Sequence, residues 1–531
     1  MNVSETFRVG PGGYMPAMLV SAWIRPIFLL AVLGAALSPM LLYPLGISGD
    51  YPNHLARVYI EHRLAGSAAL QEHFTVEWGI YPDLAMDLFM RPLMAVMDPY
   101  SAGALFNVLS VAMLPLGVAL LSLVTTGRVG LPVAAAVLLI YGKPLAWGFI
   151  NFVFSSGLAL CLLALWIWLR PGWRRTALFV LLMPVLFFSH ILGFLLFGFL
   201  MLAYEIGQFA ASARGRLPQF ATRLILRDGL IAVVPLVLFA ASFPDRLTGL
   251  DTEIAGFGGL QSRLEAFVAP FDYDSSHVSV EGKSLFVCVG LLLVIAFRRG
   301  WMTLAPSLRP VFLASVLLVL AVPAAFLGIS FLHIRFGAIP VAILLAGASL
   351  TPAGRSRAVP LCAAFLGLFA LQQVFVHDRM ADLDRTQGEI RAAVAELPEG
   401  ARVLIGRDSL TRDVYRLQHA PALVVIETDG YVANLFTNTS PVGVNARTMP
   451  PHRPQAWPLD RNQLVHGARH DPPTTATSDG IQDDFYHGWP QKFDALLWFT
   501  EPGGPGPGFP QLNLVASNKM FRLFEIPSGD W

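Results

Sequence analysis

The chain has 531 residues, of which 55% are hydrophobic and only 14% charged, and its mean hydropathy is +0.57. That is too apolar for a water-soluble protein of this length and makes a lipid bilayer the natural solvent. The net charge of +1 supplies no basic field for nucleic acid, which is excluded as a partner; Cys161, Cys288 and Cys362 sit inside apolar runs and read as small hydrophobes.

The first apolar run, from about Pro26 to Ile47, follows Arg8 and Arg25 and is long enough to cross a ~30 Å hydrocarbon core. It lacks a small-residue cleavage site and reads as a retained span entering from the cytoplasm. Further apolar runs lie near 101–126, 131–149, 151–169, 176–204, 229–243, 284–297, 310–329, 337–350 and 358–376. The arginines that punctuate them are Arg128, then Arg170, Arg174 and Arg175, then Arg214, Arg216, Arg223 and Arg227, then Arg298 and Arg299, then Arg355 and Arg357. Short cytoplasmic loops are enriched in such residues. All of these clusters fall on that side if 176–204 is two short helices that dip in and return, broken around Ser189, His190 and Gly193. The expectation is a polytopic α-helical membrane protein of about eleven membrane segments with a cytoplasmic N-terminus. Lysine occurs only at Lys143, Lys283, Lys492 and Lys519, the arginine bias of a GC-rich bacterial genome, which places the chain in a bacterial inner membrane.

With that parity, residues 47–100 form a first outer loop and 244–283 a second, each with seven acidic residues against three basic ones. The transmembrane region is expected over 1–376 and an extracytoplasmic C-terminal α/β domain over 377–531, the latter beginning with a helix at Asp378–Leu397. Strands are expected at Arg402–Gly406, Leu423–Ile426, Ala495–Phe499 and Phe521–Ile526, and the section Pro441–Asp483 reads as largely irregular.

The first outer loop opens Ser48-Gly49-Asp50-Tyr51-Pro52-Asn53-His54. An acid just before a first-turn proline is a helix-start signature, so Asp50 can be a cap. On a helix running to about Leu64, however, Asp50, Asn53, His54, Arg57 and Glu61 fall within an arc of roughly 100°. The ordinary reading is the solvated face of an interfacial helix. The functional one is an acid, an imidazole and a guanidinium at the outer end of a span, where lipid-linked headgroups arrive. A carboxylate there can deprotonate a hydroxyl or hold a divalent cation, and an arginine can clamp a phosphate. A second interfacial helix is expected from Tyr81-Pro82, with Asp83, Asp87 and Arg91 on one face. Acid four residues before base is an ordinary helix-supporting pair, and Asp83 is also a candidate second carboxylate. His190, in the expected break, is a candidate because an ionisable group at membrane depth is costly; a neutral ring bonded to a freed backbone carbonyl is the alternative. Arg335 and Lys143, both placed outward, can bind a lipid phosphate or snorkel; His333 lies beside Arg335.

This arrangement resembles the GT-C superfamily of membrane glycosyltransferases, which use polyprenyl-phosphate-linked sugars. The resemblance rests on the cytoplasmic N-terminus, the aspartate of Gly49-Asp50-Tyr51-Pro52-Asn53-His54 a few residues after the first span, the interfacial helices of the first outer loop, and the terminal outer α/β domain. It implies that Asp50 lies in a catalytic cavity, as base or as part of a site for a divalent cation, and that outer-loop cations, here Arg57 and Arg335, hold the donor phosphate. His54, Asp83 and His190 join the substrate-binding candidates. The expected partners are a polyprenyl-phosphate sugar donor and the bilayer. The rival readings are a transporter or flippase of lipid-linked sugars and a noncatalytic scaffold of an envelope polysaccharide complex.

Overall fold

The computed structural model describes residues 17–212, 217–242, 255–326, 330–437, 440–445, 458–468 and 485–529. Expectations on Arg8, Arg214, Arg216, on 244–254 of the second loop and on 446–457 and 469–483 lie outside the described residues. In lipid a backbone must satisfy its own hydrogen bonds, so apolar runs become helices. Among the described residues six helices are long and apolar enough to cross a membrane: Pro99–Thr126, Ile150–Trp168, Ile191–Ala211, Leu217–Ser242, Val280–Arg298 and Ala358–Val394. Shorter apolar helical stretches, two of them interrupted, lie at Ile27–Leu42, Leu131–Ala146, Pro306–Ala321 and Leu332–Gly347. This is a multi-pass membrane protein.

The run 176–204 divides into Trp173–Ser189 and Ile191–Ala211, separated by His190 in an extended conformation. The two helices run antiparallel, because Arg175 near the start of one meets Glu205 near the end of the other at 3.2 Å, and Phe179 stacks on Phe197. At 17 and 21 residues each is long enough to cover most of a hydrocarbon core. The apex of the hairpin is pinned to the first outer loop: Leu84 N–H donates to Phe188 O at 2.8 Å and Ile191 N–H to Pro82 O at 3.0 Å. Its open end holds a buried ionic cluster. Trp166 Nε1 donates to Glu205 at 2.9 Å, Arg175 lies 3.6 Å over the Trp166 ring, Arg223 also pairs with Glu205, and Arg227 pairs with Asp228 at 2.9 Å.

The run 131–149 is not one continuous helix. It proceeds as a turn at Leu131–Ala134, a 3₁₀ segment at Ala135–Leu139 and another turn at Lys143–Ala146, since Pro144 removes a backbone donor and Gly148 takes φ +75°. Lys143 neither snorkels nor waits for a lipid. It is buried, donating to Asp274 O and His277 O at 2.7 Å each, with Asp272 at 3.3 Å.

The last apolar run and the helix expected at Asp378–Leu397 are one 37-residue helix, Ala358–Val394. Beyond it lies a five-stranded mixed sheet in the order Asn513–Ser517, Phe521–Glu525, Ala495–Phe499, Arg402–Arg407, Tyr431–Val432. Arg402–Arg407 pairs in parallel with both of its neighbours; the other pairs are antiparallel. Leu423–Ile426 is not a strand: Leu423–Thr428 is helical, with Leu423, Val424 and Val425 buried. A four-residue apolar run fits a buried helix as well as a strand, and here packing decides. Within Pro441–Asp483, Val442–Val444 pairs with Phe74–Val76 of the first outer loop, and Arg461–Ala468 is a helix. One apolar core joins Leu404, Leu496 and Leu523 of the sheet, Ile390 and Val394 of the long helix, and Ile60 and Phe74 of the first outer loop.

Candidate active site

The helix of the first outer loop spans Tyr51–Arg63, with Pro52 in its first turn and Asp50 at the N-cap position. Asp50 makes no side-chain cap bond, so its carboxylate is free for another role. The polar arc is not a solvated face: Asn53, His54, Arg57 and Glu61 are all buried, as are Leu55 and Val58 on the other side. Sequence periodicity locates the face correctly, but a covering layer 360 residues further along the chain leaves no local signal.

Two backbone segments dock closely against each other. Asp50 N–H donates to Trp147 O at 2.9 Å, Ser48 Oγ donates to Ala146 O at 2.6 Å, and Gly49 at φ +59° and Gly148 at φ +75° supply the close approach. This brings Asp50 beside the loop that carries Phe149. The guanidinium of Arg335 stacks 3.7 Å over the Phe149 ring. It forms no salt bridge among the described residues, and its Nε has no partner. Arg335 lines a narrow cavity together with Val111, Leu114, Phe152, Val153 and Ile339.

Burial pushes the Asp50 carboxyl up to about 7, with the positive charge of Arg335 opposing and the negative charge of Asp83 adding. Those causes place the three charges within electrostatic reach of one another. Asp83 lies ahead of its helix, not on it: the helix is Ala85–Leu93, and Asp83 and Arg91 therefore share no helical face. Asn151 Nδ2 donates to Asp83 O at 3.2 Å while its Oδ1 accepts from Met86 N–H at 2.8 Å, fixing the segment. Burial raises the Asp83 carboxyl, but the positive charge around it, that of Arg57 included, and a side-chain hydrogen bond from Asn151 outweigh it and hold it below the usual range. His190 Nε2 is 4.0 Å from Asp83 Oδ1. His190 bonds a backbone amide, not a carbonyl: Nδ1 accepts from Leu192 N–H at 3.0 Å, capping the helix. The ring proton therefore sits on Nε2, toward Asp83.

Arg57 is not a free clamp. Its Nη2 is 2.6 Å from Asp87 Oδ2, with both side chains buried, and it reaches Asp83 O at 3.4 Å. Glu61 lies in the same buried group; burial, and then the charge of Asp87, raise its carboxyl to about 9. His54 is held neutral, pushed down to about 3 by burial and then by Arg57, with its ring edge-on to Phe436. His333 is buried with Nδ1 unpartnered. Among the described residues no group of three or more His, Cys, Asp or Glu side chains gathers as a metal site.

Sequence reasoning missed His419 and Asn434. His419 Nε2 lies 3.8 Å from Asp50 Oδ1, and Asn53 joins both to the helix that Asp50 begins. Neither residue belongs to a recognisable motif.

No family model matches this chain, and no curated protein matches it. Among solved structures it is similar to that of ArnT from Cupriavidus metallidurans bound to undecaprenyl phosphate, at 12% identity and a TM-score of 0.53, over 96% of this chain and 98% of that one. At that identity the likeness concerns the fold, and it extends over nearly the whole of both chains. The overall arrangement expected from the sequence is therefore met at the level of the fold, which this chain shares with that ArnT structure.

Proposed function

We propose that this protein is an inverting membrane glycosyltransferase that moves a sugar from a polyprenyl-phosphate-linked donor to an envelope lipid, glycan or protein acceptor on the outer face of a bacterial inner membrane. The observation that carries the reading is a buried group of charges, Asp50, Asp83 and Arg335, that act on one another electrostatically, with Arg335 in no salt bridge among the described residues and lining an apolar cavity. ArnT, whose fold this chain resembles, was solved with undecaprenyl phosphate bound.

In this reading Asp50 takes the proton of an acceptor hydroxyl, whose oxygen attacks the anomeric carbon. The bond from that carbon to the phosphate oxygen breaks, and polyprenyl phosphate leaves with the electron pair. Arg335 neutralises the leaving phosphate; Arg57, already paired with Asp87, orients the Asp83 segment instead. A carboxyl titrating near 7 suits a general base at neutral pH. Asp83 and His190 line the acceptor side. Residues 377–531 form an outer domain that covers the cavity, and residues 1–376 form the transmembrane part.

The test compares envelope glycans by mass in a strain lacking the protein, carrying wild type, or carrying Asp50→Asn at matched membrane levels. Loss of a general base typically costs about 10² to 10⁴-fold in rate. A sugar that disappears on deletion and returns with wild type alone supports the reading. Full restoration by Asp50→Asn overturns it and favours a carrier or a scaffold.

A further inference from the structure

We propose that His419 is a positioning residue for Asp50: a neutral imidazole whose Nε2–H is aimed at the carboxylate by a fixed asparagine lattice, so that the C-terminal region supplies part of the site. The inference rests on the reading of Asp50 as the base.

The tautomer follows from hydrogen-bond accounting. Asn53 Oδ1 accepts from Phe436 N–H at 2.9 Å, and Asn53 Nδ2 donates to Asn434 O at 2.8 Å. A backbone N–H requires an acceptor and a carbonyl requires a donor, so the Asn53 amide has one allowed orientation. The same Nδ2 is 2.7 Å from His419 Nδ1, and Asn434 Nδ2, itself donating to Gln418 O, is 3.3 Å from that nitrogen. His419 Nδ1 therefore faces two N–H donors and must present its lone pair. The ring proton is on Nε2, and Nε2 faces Asp50 Oδ1 at 3.8 Å. That separation exceeds a direct hydrogen bond, but an N–H dipole facing a carboxylate in a buried, low-dielectric site favours its charged form without substrate present. Burial keeps the ring neutral, pushing it down to about 3, so the donor persists across the working pH range.

The ring cannot turn away freely, since Phe436 lies edge-on against it. The other groups facing this pair are Arg335 and Asp83, which act on Asp50, and His54, which is neutral and shares Phe436 with His419. His419 and Asn434 are 366 and 381 residues from Asn53. The lattice therefore couples the geometry of Asp50 to the docking of the C-terminal region.

The test reads the protonation of Asp50 without any sugar substrate. The full chain in detergent is treated with N,N′-dicyclohexylcarbodiimide across a pH series, because this reagent adds to protonated carboxyls. Adduct is quantified by mass on the tryptic peptide from Val9 to Arg57, in which Asp50 is the single acid; Asp50→Asn supplies the blank. Wild type is expected to be half-labelled near pH ~7. His419→Gln presents an amide donor where Nε2 stood and should stay close to wild type. His419→Asn keeps a polar group where Nδ1 stood but loses the donor facing Asp50, and its midpoint should rise by about one pH unit, because a donor dipole facing the carboxylate favours its charged form. His419→Phe keeps the ring against Phe436 without any N–H and should rise likewise, which covers failure of the asparagine variant to fold. If the asparagine and phenylalanine midpoints coincide with wild type, or if glutamine moves as far as they do, the positioning role is wrong. Either result stands whether or not Asp50→Asn abolishes sugar transfer, so the two proposals fail separately.

Discussion

The α-carbon of Gly49 faces the carbonyl oxygen of Trp147 with no space for a side chain, and its backbone is at φ +59°. A methyl group there would overlap the oxygen and would also have to adopt a left-handed conformation that L-residues disfavour. Gly49→Ala must therefore separate the loop of residues 48–50 from that of 146–148, carrying Asp50 away from Arg335. The expected outcome is a loss of roughly 2 kcal/mol or more of stability and a drop in activity larger than the loss of folded protein. Thermal unfolding in detergent beside the envelope-glycan assay checks both. Normal activity in Gly49→Ala would show that the docking of these two loops is dispensable.

Asp50 also predicts an unusual stability profile. Its carboxyl titrates near 7 in the folded chain because burial disfavours the charge, against an ordinary value of 3.8. The folded state thus holds the proton more tightly than the unfolded state. The associated stability is fully present below pH ~4 and is lost as pH rises through ~7. Asn cannot ionise, so Asp50→Asn should unfold at a higher temperature than wild type at pH 8, with a gain of roughly 1–3 kcal/mol, and the gap should close toward pH 4. Equal melting temperatures at both pH values would mean that the carboxylate is solvated in the folded state.

How much of this was legible in the sequence depends on the range of the interaction. Apolar runs and the Gly49-Asp50-Tyr51-Pro52 start are local, and they locate the long helices and the N-cap position, though not the breaks within 131–149. The helical break at His190 was legible from arginine parity. Asp83 was misplaced onto a helix because Tyr81-Pro82 is an equally good start signal as Ala85 by composition; the segment is instead held out of the helix by bonds to Asn151 and Phe188. Leu423–Val425 are apolar enough for a strand and are buried in a helix. His419, Asn434 and the Arg57–Asp87 pair depend on contacts between distant segments, which periodicity does not encode.

The Arg57–Asp87 pair makes a prediction that separates charge from packing. Both side chains are almost wholly buried at 2.6 Å, with the Glu61 carboxyl alongside, raised by burial and by Asp87. Removing one partner leaves the other charge uncompensated, which costs about 3–5 kcal/mol for a buried pair. Arg57→Met should therefore be severely destabilised, and Arg57→Met with Asp87→Leu should recover most of that loss. If Arg57 instead clamps substrate, the single variant will fold normally and fail only in activity. Urea unfolding of the single and double variants in detergent distinguishes the two.

The hairpin apex and its open end predict the orientation of the chain. Phe188 and Ile191 are bonded to Leu84 and Pro82 of the first outer loop, so the apex lies at the Asp50 end. Arg175, Arg223 and Arg227 lie at the other end, around Glu205 and Asp228. Arginines near span ends favour the cytoplasm, and the buried pairing of Arg175 with Glu205 locks the two helices antiparallel. Single cysteines placed in a background with Cys161, Cys288 and Cys362 replaced by alanine should show opposite accessibility. Gln71→Cys, in the first outer loop, should react with an impermeant maleimide in intact spheroplasts, whereas Arg170→Cys, before the hairpin, should react only after the membrane is opened. Equal labelling of both from outside would place the hairpin base and Asp50 on one side. That geometry would mean that the hairpin does not cross the membrane, whereas the reverse pattern, with Arg170→Cys labelled from outside and Gln71→Cys only after opening, would overturn the proposed extracytoplasmic reaction.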